Sequence, residues 1–135
     1  MCGYANVQMR EFLNDVNTYP MNYSDNLIVD LTFQFSLHII EYTELLEAQR
    51  KYNLVNQLFR SGTSIGANVK EAQGAESSAD FRHKIKIAYK EAEETKYWLS
   101  LCREAKNYPS PPDELFVSIE SILKILGKII STSSK

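Results

Sequence analysis

Side chains able to do acid–base, nucleophilic or metal chemistry are few in this sequence and poorly spaced for it. Its two histidines, His38 and His83, fall on different predicted helices. Neither has a Cys or His three or four residues on, the spacing that places two ligands on one helix face. His38 lies on the apolar side of its helix, where a hydrogen-bonded core histidine is expected rather than a ligand. A di-metal carboxylate site in a bundle needs Glu-x-x-His on two helices, and that pattern does not occur. The paired acids Glu41 and Glu44, and Glu93 and Glu94, read as solvated helix faces. Cys2 and Cys102 have no metal or redox spacing, and Cys102 sits in an apolar stripe, as an inert core thiol does. No glycine-rich phosphate loop is present. The expectation is therefore a protein that is not an enzyme, with no catalytic residues, no metal site and no cofactor.

Cations are the remaining candidates. The net charge is −2 and the pI about 5.7, which gives no overall push towards nucleic acid. The distribution is uneven: up to Gln49 one basic residue stands against seven acidic ones, while from Arg50 to Lys106 eleven stand against seven. The local excess makes Arg60, Lys70, Arg82, Lys84, Lys86 and Lys90 a candidate basic belt for a phosphate backbone. Arg82, Lys86 and Lys90 recur every four residues and share a helix face. Glu71, Glu76, Asp80 and Glu91 interrupt the belt. The same stretch has a structural reading. Asn68 and Glu71 are three apart on one face and could bond each other or a facing Lys84 or Lys90, fixing the register between helices. Within it, Gly62 and Gly66 lie in the run Ser61-Gly62-Thr63-Ser64-Ile65-Gly66-Ala67. That run costs about 2 kcal/mol of helix propensity relative to alanine. Close packing against another helix is the expected compensation.

Four helices would carry these residues. Ile28, Leu31, Phe35, Ile39, Tyr42 and Leu46 step by three and four, so a first helix is expected from Asp25, capped by Ser24 or Asp25, to about Gln49. A second is expected from Leu54 to Gln73, with Gly74 at the residue just past its end. The third opens with the capping box Ser77-x-x-Asp80 and carries a heptad seam through Phe81, Ile85, Ala88, Ala92, Thr95, Leu99 and Cys102, ending by Asn107. The fourth would start at Ser110 as cap with Pro111 in the first helical position, and carries Leu115, Ile119, Ile122, Leu126 and Ile129 on one face. Short connections make neighbours antiparallel. The predicted fold is all-α, an antiparallel up-down-up-down four-helix bundle over residues 25–131, with an N-terminal appendage at 1–24 and a fraying tail at 132–135.

With 135 residues, 44 % of them apolar, the chain suits one domain with one core. No stretch reaches the roughly 18 apolar residues that span a membrane, and no signal peptide is visible at the N-terminus. A cytoplasmic protein is expected. For residues 1–24 two readings stand: translation beginning at Met21, or a short helix packing onto a neighbouring subunit. The first and third helices each carry two apolar stripes, more than one four-helix core accommodates, which points to a homo-oligomer.

The central run is distinctive: Arg60-Ser-Gly-Thr-Ser-Ile-Gly-Ala-Asn68, Glu71-Ala72, Ser77-x-x-Asp80-Phe81, Lys84-Ile85, Ile87-Ala88-x-Lys90-Glu91-Ala92-x-Glu94-Thr95-x-Tyr97-Trp98-Leu99. It resembles the bacterial four-helix-bundle family of proteins encoded within intervening sequences of large-subunit ribosomal RNA genes. The accessory variability protein of diversity-generating retroelements is a more distant likeness. The resemblance covers about residues 25–131. It implies a homopentameric ring and an association with nucleic acid or a ribonucleoprotein. The expected function is a non-enzymatic oligomeric binding protein, either a nucleic-acid or ribonucleoprotein accessory factor (RNA or DNA) or a protein-binding scaffold.

Overall fold

The computed structural model describes residues 21–133, which form α1 (Met21–Ala48), α2 (Tyr52–Ala72), α3 (Ser78–Glu104) and α4 (Asp113–Ser133), with no strand among the described residues. Each helix packs on its neighbours in sequence, and α4 closes the ring of contacts on α1. The molecule is thus the all-α four-helix bundle that the periodicity predicts, with α1 and α3 on one diagonal and α2 and α4 on the other. Its centre is filled by fully buried Phe35, Ile39, Leu58, Ile65, Ile85, Leu99, Ile119, Ile122 and Leu126. Cys2 and the appendage up to residue 20 lie outside the described residues.

Helix ends differ from expectation where backbone chemistry overrides the apolar pattern. Helix α1 begins at Met21, so Ser24 and Asp25 lie inside it rather than capping it. At its other end Arg50 takes a left-handed conformation, φ 60°. The Arg50 N–H then donates to the Glu47 carbonyl at 2.9 Å and the Lys51 N–H to the Leu46 carbonyl at 2.8 Å. Those two bonds are a Schellman motif, with arginine in the place usually held by glycine. Gly74 has no such role, since no described glycine has positive φ. Helix α2 instead tightens at its end, where the N–H groups of Gln73, Gly74 and Ala75 reach back three residues to Lys70, Glu71 and Ala72 at 3.1–3.2 Å.

Ser77 caps α3 by accepting from the Asp80 N–H at 3.0 Å, while the Asp80 carboxylate accepts from the Glu76 N–H at 3.3 Å. Helix α4 starts at Asp113, not at Pro111. A residue before proline is pushed out of the α region, so Pro112 keeps Pro111 extended and the helix can begin only after the pair. Its first turn then carries Asp113 and Glu114, both favourable at the positive end of the dipole. Helix α4 runs through Ser133, and the hydroxyls of Thr132 and Ser133 donate back to carbonyls of the preceding turn.

Candidate functional site

The small residues of α2 set where its other side chains go. Gly62 and Gly66 face α1. A Cβ on Gly62 would stand 2.8 Å from Ile39 Cγ1, and one on Gly66 would stand 3.2 Å from the Thr32 carbonyl oxygen. On the opposite flank α2 meets α3 through polar atoms. Ser61 and Thr95 are both fully buried, with their hydroxyl oxygens 2.9 Å apart. The Thr95 hydroxyl reaches both Ser61 Oγ and the Glu91 carbonyl, the latter at 2.7 Å, and the Ser61 hydroxyl donates to the Leu58 carbonyl at 3.4 Å. Each carries a single proton, and this arrangement leaves neither oxygen unpartnered.

Just outside that pair sits an ionic cluster. Arg60 pairs with Glu91 at 3.1 Å and also with Glu94, and the Trp98 indole N–H donates to the same Glu94 carboxylate at 3.2 Å. One guanidinium is thereby held between two carboxylates. The cluster is net negative, and Arg60 presents no free charge to a phosphate. Its side chain is 51 % exposed, so the pairs contribute at most about 1 kcal/mol each; their effect is to orient rather than to stabilise.

The six expected cations therefore do not form one belt. Arg60 is neutralised on the α3 side of α2. Lys84 lies 3.9 Å from Glu71 across the same helix pair. Arg82 is half-buried, and its Nε has no hydrogen-bond partner. Lys70 is exposed but stands one turn on from Gly66, so it belongs to the α1 shoulder. Lys86 and Lys90 are exposed on the outer side of α3, with no ion pair among the described residues. Asn68 and Glu71 do not bond each other: Asn68 Nδ2 donates to the Ser64 carbonyl at 2.9 Å, and Glu71 takes Lys84.

Two concave regions escaped the sequence reading because each is built from side chains of two different helices. Between α3 and α4 a groove of about 840 Å³ is lined by Tyr89, Glu93, Phe116 and the Lys96–Glu120 ion pair, whose atoms are 2.5 Å apart. The hydrogen bond with Glu120 raises the Lys96 pKa, and burial, followed by Glu93, raises that of Tyr89. Between α1 and α4 a cavity of about 210 Å³ is lined by His38, Glu41, Tyr42, Leu45 and Glu114. His38, expected in the core, is instead half-buried at this cavity and makes no hydrogen bond among the described residues, because its position is at the α4 edge of the α1 stripe. Tyr42 donates to the Pro109 carbonyl at 2.6 Å, tying α1 to the α3–α4 connection. Burial raises its pKa first, with Cys102 adding to the shift, and burial also raises the Cys102 thiol. Among the described residues the resolved shifts, of Tyr42, Tyr89, Lys96 and Cys102, are all upward. Among the described residues no cluster of metal-ligating side chains occurs and no helix is long and apolar enough to cross a membrane.

Residues 24–131 match the sequence model described as "23S rRNA-intervening sequence protein". Among solved structures, the chain is similar to a protein of unknown function from the S23 ribosomal protein family of Bacteroides thetaiotaomicron VPI-5482. The two are 38 % identical with a TM-score of 0.70, and the match spans 80 % of this chain and 98 % of that one. No curated protein matches.

Proposed function

The chain belongs to the 23S rRNA-intervening sequence protein family, and from that membership we propose a non-enzymatic, self-assembling binding protein of the cytoplasm, a pentameric ring that accompanies nucleic acid or a ribonucleoprotein. The observation that carries the assembly is apolar surface facing away from the core. Phe33, Leu37, Phe59, Tyr97 and Leu101 are all exposed, on three different helices. Monomers rarely leave that much large apolar side chain wet. The family's description supports the nucleic-acid part, together with Lys70, Lys86 and Lys90, exposed and without an ion pair among the described residues, which a ring would repeat in every subunit. Light scattering during gel filtration tests the assembly, and a monomer at micromolar concentration overturns it. Mobility-shift titration with structured RNA and with duplex DNA at two salt concentrations tests the ligand.

A second reading, a protein-binding scaffold, is favoured by one observation: Arg60 and Lys84 are turned onto Glu91, Glu94 and Glu71 rather than outward. Failure of the oligomer to retain RNA or DNA at low salt would select it.

A further inference from the structure

We infer that the groove between α3 and α4 holds a short stretch of single-stranded nucleic acid, with bases on its aromatic floor and phosphates on its basic rim. This deepens the nucleic-acid reading above and rests on it. Two rings stand towards the ends of the groove. Tyr89 lies on α4 where Gly127 leaves room for it: a Cβ on that glycine would stand 3.6 Å from Tyr89 Cε2. Phe116 comes eleven residues before Gly127 on the same helix, roughly 16 Å away at about 1.5 Å per residue. The Arg103 guanidinium lies over the Phe116 ring, 4.4 Å from its centroid, and the Arg103 side chain is itself half exposed. A tyrosine ring and a guanidinium plane are both surfaces on which an unpaired base stacks. A stacked strand rises about 3.4 Å per nucleotide, so a segment of several nucleotides spans the two, and a mononucleotide does not.

Charge follows the same division. On α3, Arg82, Lys86, Lys96 and Arg103 share the stripe of Tyr89, set by alternating steps of four and three. With Lys124 of α4 they place five cations on this face against two acids, Glu93 and Glu120, in a chain of net charge −2. Lys96 and Glu120 pair with each other across the groove, and Glu104 meets Arg103 from the adjacent position. Lys86 and Lys124 are exposed, with no ion pair among the described residues. Glu93, beside Tyr89, repels phosphate but accepts from the amino edge of a base. Bases are therefore favoured within the groove and phosphates at its rim. Packed helices have axes about 8–10 Å apart, a gap that splayed bases enter and the stacked, paired bases of a duplex do not. None of Phe33, Leu37, Phe59, Tyr97 and Leu101 lines this groove, so self-assembly through those side chains does not require it.

The test uses the full chain and a short fluorescein-labelled RNA strand without self-complementarity, the DNA strand of the same sequence, and the duplex of that DNA, followed by fluorescence anisotropy. Both single strands should bind more tightly than the duplex. Equal affinity for the two means that ring faces and phosphates are read, and tighter RNA binding adds a 2′-hydroxyl contact; either supports the site. Tyr89→Leu keeps an apolar side chain over Gly127 and removes the ring. It should weaken single-strand binding by about 5- to 100-fold and leave duplex binding unchanged, while Tyr89→Phe should bind as the parent does. Lys124→Gln should lower the salt slope of log K on single strands by about 0.7. Val117→Glu, at a 49 % exposed position in the groove lining, adds an acid without touching the core and should weaken the same binding. Gln34→Glu, exposed on α1, adds the same charge elsewhere and should not. Unchanged single-strand binding in Tyr89→Leu, or in Val117→Glu should the leucine variant fail to fold, overturns the groove site and leaves the nucleic-acid reading standing; so does single-strand binding no tighter than duplex binding. A parent that retains none of the three probes at low salt overturns both.

Discussion

Arg50 shows how far a single residue can depart from what its own chemistry prefers. A left-handed φ of 60° crowds the Cβ of any L-residue, at a cost of roughly 1 kcal/mol. The Schellman bonds hold it there. Arg50→Gly keeps those bonds and removes the crowding, although the unfolded chain gains freedom. The expected net gain is about 0.5–1 kcal/mol, read as a higher urea midpoint with an unchanged slope. Tyr42 and Cys102 give the opposite kind of residue, one whose surroundings hold it neutral. Both pKa values are raised in the folded state above the ordinary 10.0 and 9.0. Their neutral forms are shared by both states below pH 9, so the penalty is absent there. Above it the unfolded chain ionises while the folded chain cannot, and stability falls with rising pH, first through Cys102 and then, beyond pH 10, through Tyr42. Tyr42→Phe should remove the part of that alkaline loss that begins near pH 10. At neutral pH the same change should cost about 1 kcal/mol, since the half-buried Pro109 carbonyl loses its donor. A pH series of denaturant midpoints on parent and variant checks both signs. Cys102 in the native protein should react with thiol reagents only at the rate of unfolding.

At the scale of the helix, α2 is the element whose composition is explained only by its neighbours. Its two inward glycines bring it against α1, and its two contacts there differ in kind. Ile39 above Gly62 is a side chain, while Thr32 above Gly66 offers backbone atoms at 3.2 and 3.3 Å. A side chain can shift by a few tenths of an ångström more readily than a helix backbone. At Gly66 the propensity gained by alanine is therefore set against a rigid partner, and Gly66→Ala should destabilise rather than help. Gly66→Leu should cost more, about 1–3 kcal/mol or beyond. A thermal melt equal to the parent's for the leucine variant would remove the packing explanation. Much of this architecture was legible beforehand because burial is periodic: of the seven side chains named by the heptad seam of α3, the six from Ile85 to Cys102 are buried and Phe81 is half-buried. Helix ends were less legible where two local rules competed. Pro111 satisfies the rule for a first helical residue and breaks the rule for a residue before proline, and the second governs. The candidate belt was legible as a count of charges and not as a surface. Which lysine remains free depends on whether a carboxylate from another helix reaches it, as Glu91 and Glu94 reach Arg60 across 31 and 34 residues of sequence. The His38 cavity and the α3–α4 groove leave no local sequence signal at all.

For the whole molecule the question is whether an acidic chain, net −2, can hold a phosphate backbone. Non-specific affinity grows with the number of phosphates neutralised, so one acidic subunit with scattered lysines should bind weakly and only at low salt. A ring changes the arithmetic by repeating the same few cations at fixed spacing, and weak contacts then add through effective concentration. Lys70 and Lys86 are exposed with no ion pair among the described residues, and a ring would repeat them in every subunit. Replacing both by Gln should leave the oligomer intact, weaken RNA retention and flatten the salt dependence, each lost contact removing about 0.7 from the slope of log K on single strands or 0.9 on duplex DNA. Arg60→Gln is the informative control. It removes one positive charge against the two of the lysine pair, and that charge is already enclosed by Glu91 and Glu94, so no phosphate contact is lost and any fall in retention comes only from the uncompensated carboxylates repelling RNA. A loss in log K from Arg60→Gln half as large as that from the lysine pair would mean that net charge alone governs binding and that the placement of these side chains does not matter. Retention unchanged in the Lys70 and Lys86 variant would move the contact to another face, and a parent oligomer that retains neither RNA nor DNA at low salt would leave the scaffold reading in place.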